Sequence, residues 1–166
     1  MVDMLKILIT SAIVDNVVFI QYLAICPFIG MTSDTGKAAG MGIATSFVII
    51  LATAVTWPIY KLVMVPLGLQ FLQTLFFILV IASLVQLVEF FLKKTIPALY
   101  KSMGVYLALI TTNCAVLGVT INNIIDGYSF VESVVSSLGC GLGFLLAMVL
   151  FSGLRSRIDE NNVPTA

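Results

Sequence analysis

The chain has 166 residues, 60% of them hydrophobic and 10% charged, with eight basic and eight acidic side chains, a net charge of zero and a mean hydropathy of +1.15. That composition belongs to a domain embedded in lipid, and with no basic patch the chain is not expected to bind nucleic acid. There is no histidine, which removes imidazole ligation of haem, Rieske-type clusters and Ser-His or Cys-His catalysis, so any soft-metal chemistry must run on sulfur.

The first apolar stretch, residues 7–30, is interrupted by Asp15 and by Cys26-Pro27. Proline biases Cys26 away from the α region and removes a backbone donor, which predicts that the helix stops or kinks there. With Asp3 and Asp15 present and no small-residue cleavage site nearby, this stretch does not read as a removable signal peptide. Residues 38–60, 62–88, 102–125 and 133–154 carry only uncharged side chains and are each long enough to cross the hydrocarbon core. Five spans are therefore expected. In the fourth, Thr111, Thr112 and Asn113 precede Cys114, and their short polar side chains can satisfy the backbone of an unwound turn. In the fifth, Gly139-Cys140-Gly-Leu-Gly143 forms a small-residue face suited to close helix packing, which gives Cys140 a structural role.

Basic residues orient the spans. If the chain alternates sides, Lys37, Lys93, Lys94, Lys101, Arg155 and Arg157 share one face, whereas the other receives Lys6 and Lys61. The first face is expected to be cytoplasmic, with the amino terminus outside.

Two cysteines share one frame: Cys26-Pro-Phe-Ile-Gly30 and Cys114-Ala-Val-Leu-Gly118, 88 positions apart. Three spans separate the two motifs, so a duplicated unit would be inverted in the membrane. The expected organisation is a single integral membrane domain over residues 1–166. Repeat one covers about 1–92 and repeat two about 93–166, the second apparently incomplete, because a sixth span would be expected after Arg157 where the polar stretch 159–166 lies. Thiols on backbone unable to stay helical read as half of a metal site. Both [2Fe–2S] clusters and tetrahedral zinc take four ligands, so two more would come from another chain. Ordinary apolar packing and a Cys26–Cys114 disulfide are the competing accounts. Asp15 is costly within a span, which makes it a candidate for an ion path.

Three stretches carry a family resemblance: Tyr22-Leu-Ala-Ile-Cys-Pro-Phe-Ile-Gly30, Gly40-Met-Gly-Ile-Ala-Thr-Ser-Phe47 and Leu109-Ile-Thr-Thr-Asn-Cys-Ala-Val-Leu-Gly118. Over essentially its whole length the chain resembles the family of membrane proteins that includes the A subunit of the Rnf ion-translocating ferredoxin:NAD oxidoreductase and the E subunit of the sodium-pumping NADH:quinone oxidoreductase. The resemblance implies an all-α polytopic helix bundle of six spans in two inverted repeats with broken helices, set in the cell inner membrane. It also implies a [2Fe–2S] cluster held by Cys26 and Cys114 together with two cysteines of a homologous E subunit, beside further subunits carrying flavin and iron–sulfur centres. Ala44-Thr45 resembles the end of a flavin-attachment sequence, but Gly42 stands where a hydroxyl residue would be expected, so no flavin is expected on this chain. The alternative from another class is a small inverted-repeat transporter with structural cysteines.

Overall fold

The computed structural model describes residues 2–68, 70–95, 101, 110 and 113–160. The chain is an all-α polytopic membrane helix bundle, with no strand among the described residues. Helix α1 (Val2–Ile9) runs into a π-helical turn, Thr10–Val14, after which the backbone leaves helical geometry through residues 15–24. The short helix α2 (Ile25–Met31) completes this first, broken segment. Helix α3 (Thr35–Ile59) starts at Asp34, whose carboxylate accepts from the Gly36 N–H at 3.2 Å and pairs with Lys37 at 3.3 Å, an N-cap that satisfies a first-turn donor.

Pro58 lies inside α3 and takes one donor out of the ladder, and the π-helical turn Tyr60–Met64 follows directly. Helix α4 (Val65–Leu67) then ends at Gly68, whose φ of +66° is the left-handed geometry of a helix C-terminus. Helix α5 (Gln73–Thr95) follows, with Lys93 and Lys94 in its last turn. Helix α6 (Cys114–Ile125) ends near Gly127, which has φ +67°. Helix α7 (Phe130–Glu160) opens with Ser129 and Glu132. The Ser129 N–H and hydroxyl both donate to the Glu132 carboxylate, at 2.9 and 2.7 Å, which fixes the chain's entry into the helix.

Three of these helical stretches are long and apolar enough to cross a membrane: Thr35–Leu67, Gln73–Thr95 and Phe130–Ile158. Cys114–Ile125 is a shorter apolar helix, and residues 102–109, 111 and 112 of the expected fourth span, including Thr111 and Thr112, lie outside the described residues. The expected boundary at residue 62 is corrected. The second span runs on to Leu67 and the third begins at Gln73, because Gly68 turns the chain at a point where hydropathy alone sees one uninterrupted apolar run.

Helices α3 and α7 form the largest interface, and glycines set their distance. A Cβ at Gly141 would meet Ser46 Cβ at 2.9 Å, while Cβ atoms at Gly139 and Gly143 would meet the Leu8 and Ala12 carbonyl oxygens at 2.8 and 2.6 Å. The Gly139-x-x-x-Gly143 face thus lets α1 and its π-helical turn lie directly on α7, the close backbone approach that lipid-embedded helices use in place of a hydrophobic driving force. Cys140, 8% exposed, sits on that packing face. Polar side chains complete the interior: Thr53 and Ser137 hydroxyls lie 2.7 Å apart, and the Asn123 amide donates to Ser137 at 3.1 Å. Around them pack Met41, Ile49, Phe77, Val116, Phe144 and Met148, all fully buried. Leu75, Leu79, Leu87, Phe90 and Phe91 of α5 stay exposed, as a lipid-facing surface would.

Candidate metal centre

Residues 15–24 bring the two cysteine motifs together. Asn16, 5% exposed, anchors the segment: its amide donates to the Ala12 and Gly143 carbonyls at 3.2 and 3.1 Å, and its oxygen accepts from the Val18 N–H at 3.0 Å. The Leu23 N–H closes a turn onto the Val17 carbonyl at 3.1 Å. Tyr22 and Ala24, on either side of Leu23, both have left-handed backbone, with φ of 53° and 63°. Each such residue with a Cβ costs about 1–2 kcal/mol, so the surrounding contacts must hold the conformation in place.

Helix α2 begins immediately after Ala24, and Cys26 falls in its first turn. This corrects the expected stop at Pro27. The break precedes the cysteine, and Pro27 occupies a first-turn position where a backbone donor has no intrahelical partner to lose. The far end of α2 is tied to α7: Arg155 donates to the Ile29 carbonyl at 3.2 Å and to the Thr32 hydroxyl at 3.1 Å, and the Phe28 and Phe151 rings lie 4.5 Å apart.

Helix α6 begins at Cys114 itself. Asn113 is its N-cap, with extended backbone and a side-chain oxygen accepting from the Ala115 N–H at 3.1 Å, the local role expected of a short polar residue there. From the opposite side the Ala24 N–H donates to Cys114 Sγ at 2.9 Å. One turn on, a Cβ at Gly118 would collide with the Leu23 side chain. Leu23 and Ala24 thus seat both the second cysteine and its glycine, and Ala24 leads into Cys26 two residues later.

Cys26 and Cys114 are free thiols and exposed, so the disulfide is absent from this structure. Cys140 is buried on α7, where it lines a cavity with Ser11 and Ser136. Among the described residues no group of three or more His, Cys, Asp or Glu side chains gathers. Two exposed thiols, one of them contacted by the segment that leads into the other, fit half of a four-thiolate set: sulfur is the donor that selects iron–sulfur clusters or zinc, and exposure leaves room for ligands from a neighbour.

Asp15 stands apart from the thiols. It is exposed at the end of the π-helical turn, its N–H donating to the Thr10 carbonyl at 2.7 Å. It lines a cavity of about 200 Å³ shared with Lys6, Gln21, Asn122 and Asp126 and with the apolar Ile7, Val17 and Val119. Across that cavity the Asn122 amide donates to the Gln21 oxygen at 3.0 Å. Sequence reasoning missed Leu23 and Ala24, which look like ordinary membrane residues, and read Arg155 only for the sidedness of the spans and not for its hold on α2. Asn16 carried a readable signal as a second polar side chain beside Asp15.

Residues 4–165 match the family described as "Rnf-Nqr subunit, membrane protein". The chain is 49% identical over 160 residues to the A subunit of the Na+-translocating ferredoxin:NAD+ oxidoreductase complex of Acetobacterium woodii, covering 96% of this chain and 83% of that protein. It is 49% and 50% identical over 166 residues to the A subunits of the ion-translocating oxidoreductase complexes of Syntrophotalea carbinolica and an Azoarcus species, in each case covering 100% of this chain and 86% of the relative. The chain belongs to the Rnf-Nqr family of membrane subunits.

Proposed function

We propose that the chain is the A-type membrane component of a redox-driven ion translocase that moves electrons between ferredoxin and NAD and couples them to transport of Na+ or H+. The family membership and the names of relatives that share about half of its residues support this reading. Within it, the thiolates of Cys26 and Cys114 hold one half of a [2Fe–2S] centre, and two cysteines of a homologous E subunit hold the other. When bound, such a centre supplies a one-electron relay inside the membrane. Both sulfurs are exposed, and Leu23 and Ala24 tie the segment before Cys26 to Gly118 and Cys114. Flavin is assigned to other subunits of the complex.

The observation that carries the proposal is the 2.9 Å contact of the Ala24 N–H with Cys114 Sγ, which joins the segment leading into one candidate ligand to the other ligand. Serine at either position offers a harder and far less acidic ligand. Cys26→Ser or Cys114→Ser in the assembled complex should abolish the membrane [2Fe–2S] signal in electron paramagnetic resonance, whereas Cys140→Ser should retain it. A full signal in Cys114→Ser would refute the ligand assignment.

Asp15 is proposed to serve the ion path, on the strength of its place in a cavity beside Lys6, Gln21, Asn122 and Asp126. Asp15→Asn should leave the cluster signal intact and lower ions transported per electron; an unchanged ratio would return Asp15 to a structural role. The distribution of basic residues supports placement in the inner membrane with the amino terminus outside. A membrane-impermeant thiol reagent should then label a cysteine placed at Ser129 from outside and one placed at Ser33 from the cytoplasm, and the reverse pattern would invert the assignment.

A further inference from the structure

We infer that the Ala24 backbone amide tunes the centre: its N–H is aimed at the Cys114 sulfur by a strained turn whose purpose is that one hydrogen bond. The inference rests on Cys114 being a cluster ligand. Ala24 is a non-glycine residue at φ 63°, ψ 28°, and it is fully buried. Left-handed backbone at a residue with a Cβ persists only where its surroundings over-determine it. Those surroundings are visible on both sides. Asn16 pins the start of the segment to α7, the Leu23 N–H is taken by the Val17 carbonyl, and the Leu23 side chain fills the space left by the missing Cβ of Gly118.

The consequence concerns a single donor. Ala24 is the N-cap of α2, so its N–H has no partner within that helix, while its carbonyl already accepts from the Phe28 N–H at 3.2 Å. An N-cap residue ordinarily has extended backbone, as Asn113 has at the start of α6. At Ala24 the chain adopts left-handed geometry instead, and the freed N–H meets a sulfur 90 residues away in sequence. A hydrogen bond to a ligand sulfur withdraws electron density from it and favours the more negative, reduced state of the cluster, which raises its reduction potential. Ala24 is therefore a positioning residue for electron transfer, contributed by the first cysteine segment to the ligand of the second. Full burial explains why the side chain is no larger than a methyl group.

Selective labelling isolates this amide. The complex, assembled with its partner subunits and grown with ¹⁵N-alanine, should show a ¹⁵N hyperfine coupling from the Ala24 amide in pulsed electron paramagnetic resonance of the dithionite-reduced centre. Ala24→Gly accepts the positive φ and keeps the N–H but carries no label. It should lose that coupling while the midpoint potential stays near wild type. Ala24→Val places a β-branched side chain where left-handed backbone is least tolerated, and it should move the midpoint potential to lower values. Labelled spectra identical in wild type and Ala24→Gly would overturn the inference, as would an unmoved potential in an Ala24→Val complex of normal signal intensity. If Ala24→Val does not assemble, the glycine comparison decides alone. A wild-type complex without any [2Fe–2S] signal would instead overturn the reading beneath.

Discussion

The two cysteine segments share a sequence frame and are held by different means. Helix α6 is supported at its start, where Asn113 caps the turn that carries Cys114. Helix α2 has no side-chain cap at its start and is held at its far end by Arg155 and by the Phe28–Phe151 contact. The glycines differ in the same way. A Cβ on Gly118 would displace the end of the Leu23 side chain, whereas a Cβ on Gly30 meets no atom within 4 Å among the described residues. A repeated motif therefore fixes which groups are presented and leaves open how each is supported. Of the two segments, the one that contributes Cys114 is dependent on the other, because Leu23 and Ala24 both belong to the run before Cys26.

The largest effect that would sharpen this contrast comes from the glycines. Gly118→Ala forces a methyl group into Leu23, and overpacking of that kind costs about 1–3 kcal/mol. We expect a lower melting temperature of the complex and reduced iron content, while Gly30→Ala changes both little. Equal losses in the two variants would mean that the asymmetry has no energetic weight.

A smaller effect is expected at the helix ends. Asn113→Ala removes an N-cap worth about 1 kcal/mol and should loosen the first turn of α6, with Asn113→Ser recovering most of the loss. Arg155→Ala should act at the opposite end of the other helix. Amide hydrogen exchange in the assembled complex is expected to quicken over residues 115–118 in the first variant and over residues 28–32 in the second. Faster exchange over residues 25–28 alone in Arg155→Ala would show that α2 is held from its start after all.

The uncharged runs and the service of Asn113 to nearby backbone were readable in sequence because each follows from local chemistry: hydropathy, or a short polar side chain beside a break in a helix. The break between Leu67 and Gln73 was not, since it depends on one glycine with positive φ inside a continuous apolar run. The exact seat of the first break was displaced for a related reason. Proline marks a helix boundary without saying on which side it lies, and here Pro27 belongs to the new helix's first turn. Least readable was Ala24, whose left-handed backbone runs against its own propensity and exists only because contacts from distant parts of the chain enforce it.

The central claim is a centre divided between two chains, and metal content tests it most directly. Iron and acid-labile sulfide should be measured, with electron paramagnetic resonance of the reduced state, on membranes containing this chain together with its homologous partner and on membranes containing it alone. The account predicts a [2Fe–2S] signal with matching iron and sulfide when both chains are present and none for this chain by itself, because Cys26 and Cys114 supply only half of the ligands. A full complement of iron and sulfide on this chain alone, or a paired complex without the signal, would contradict it.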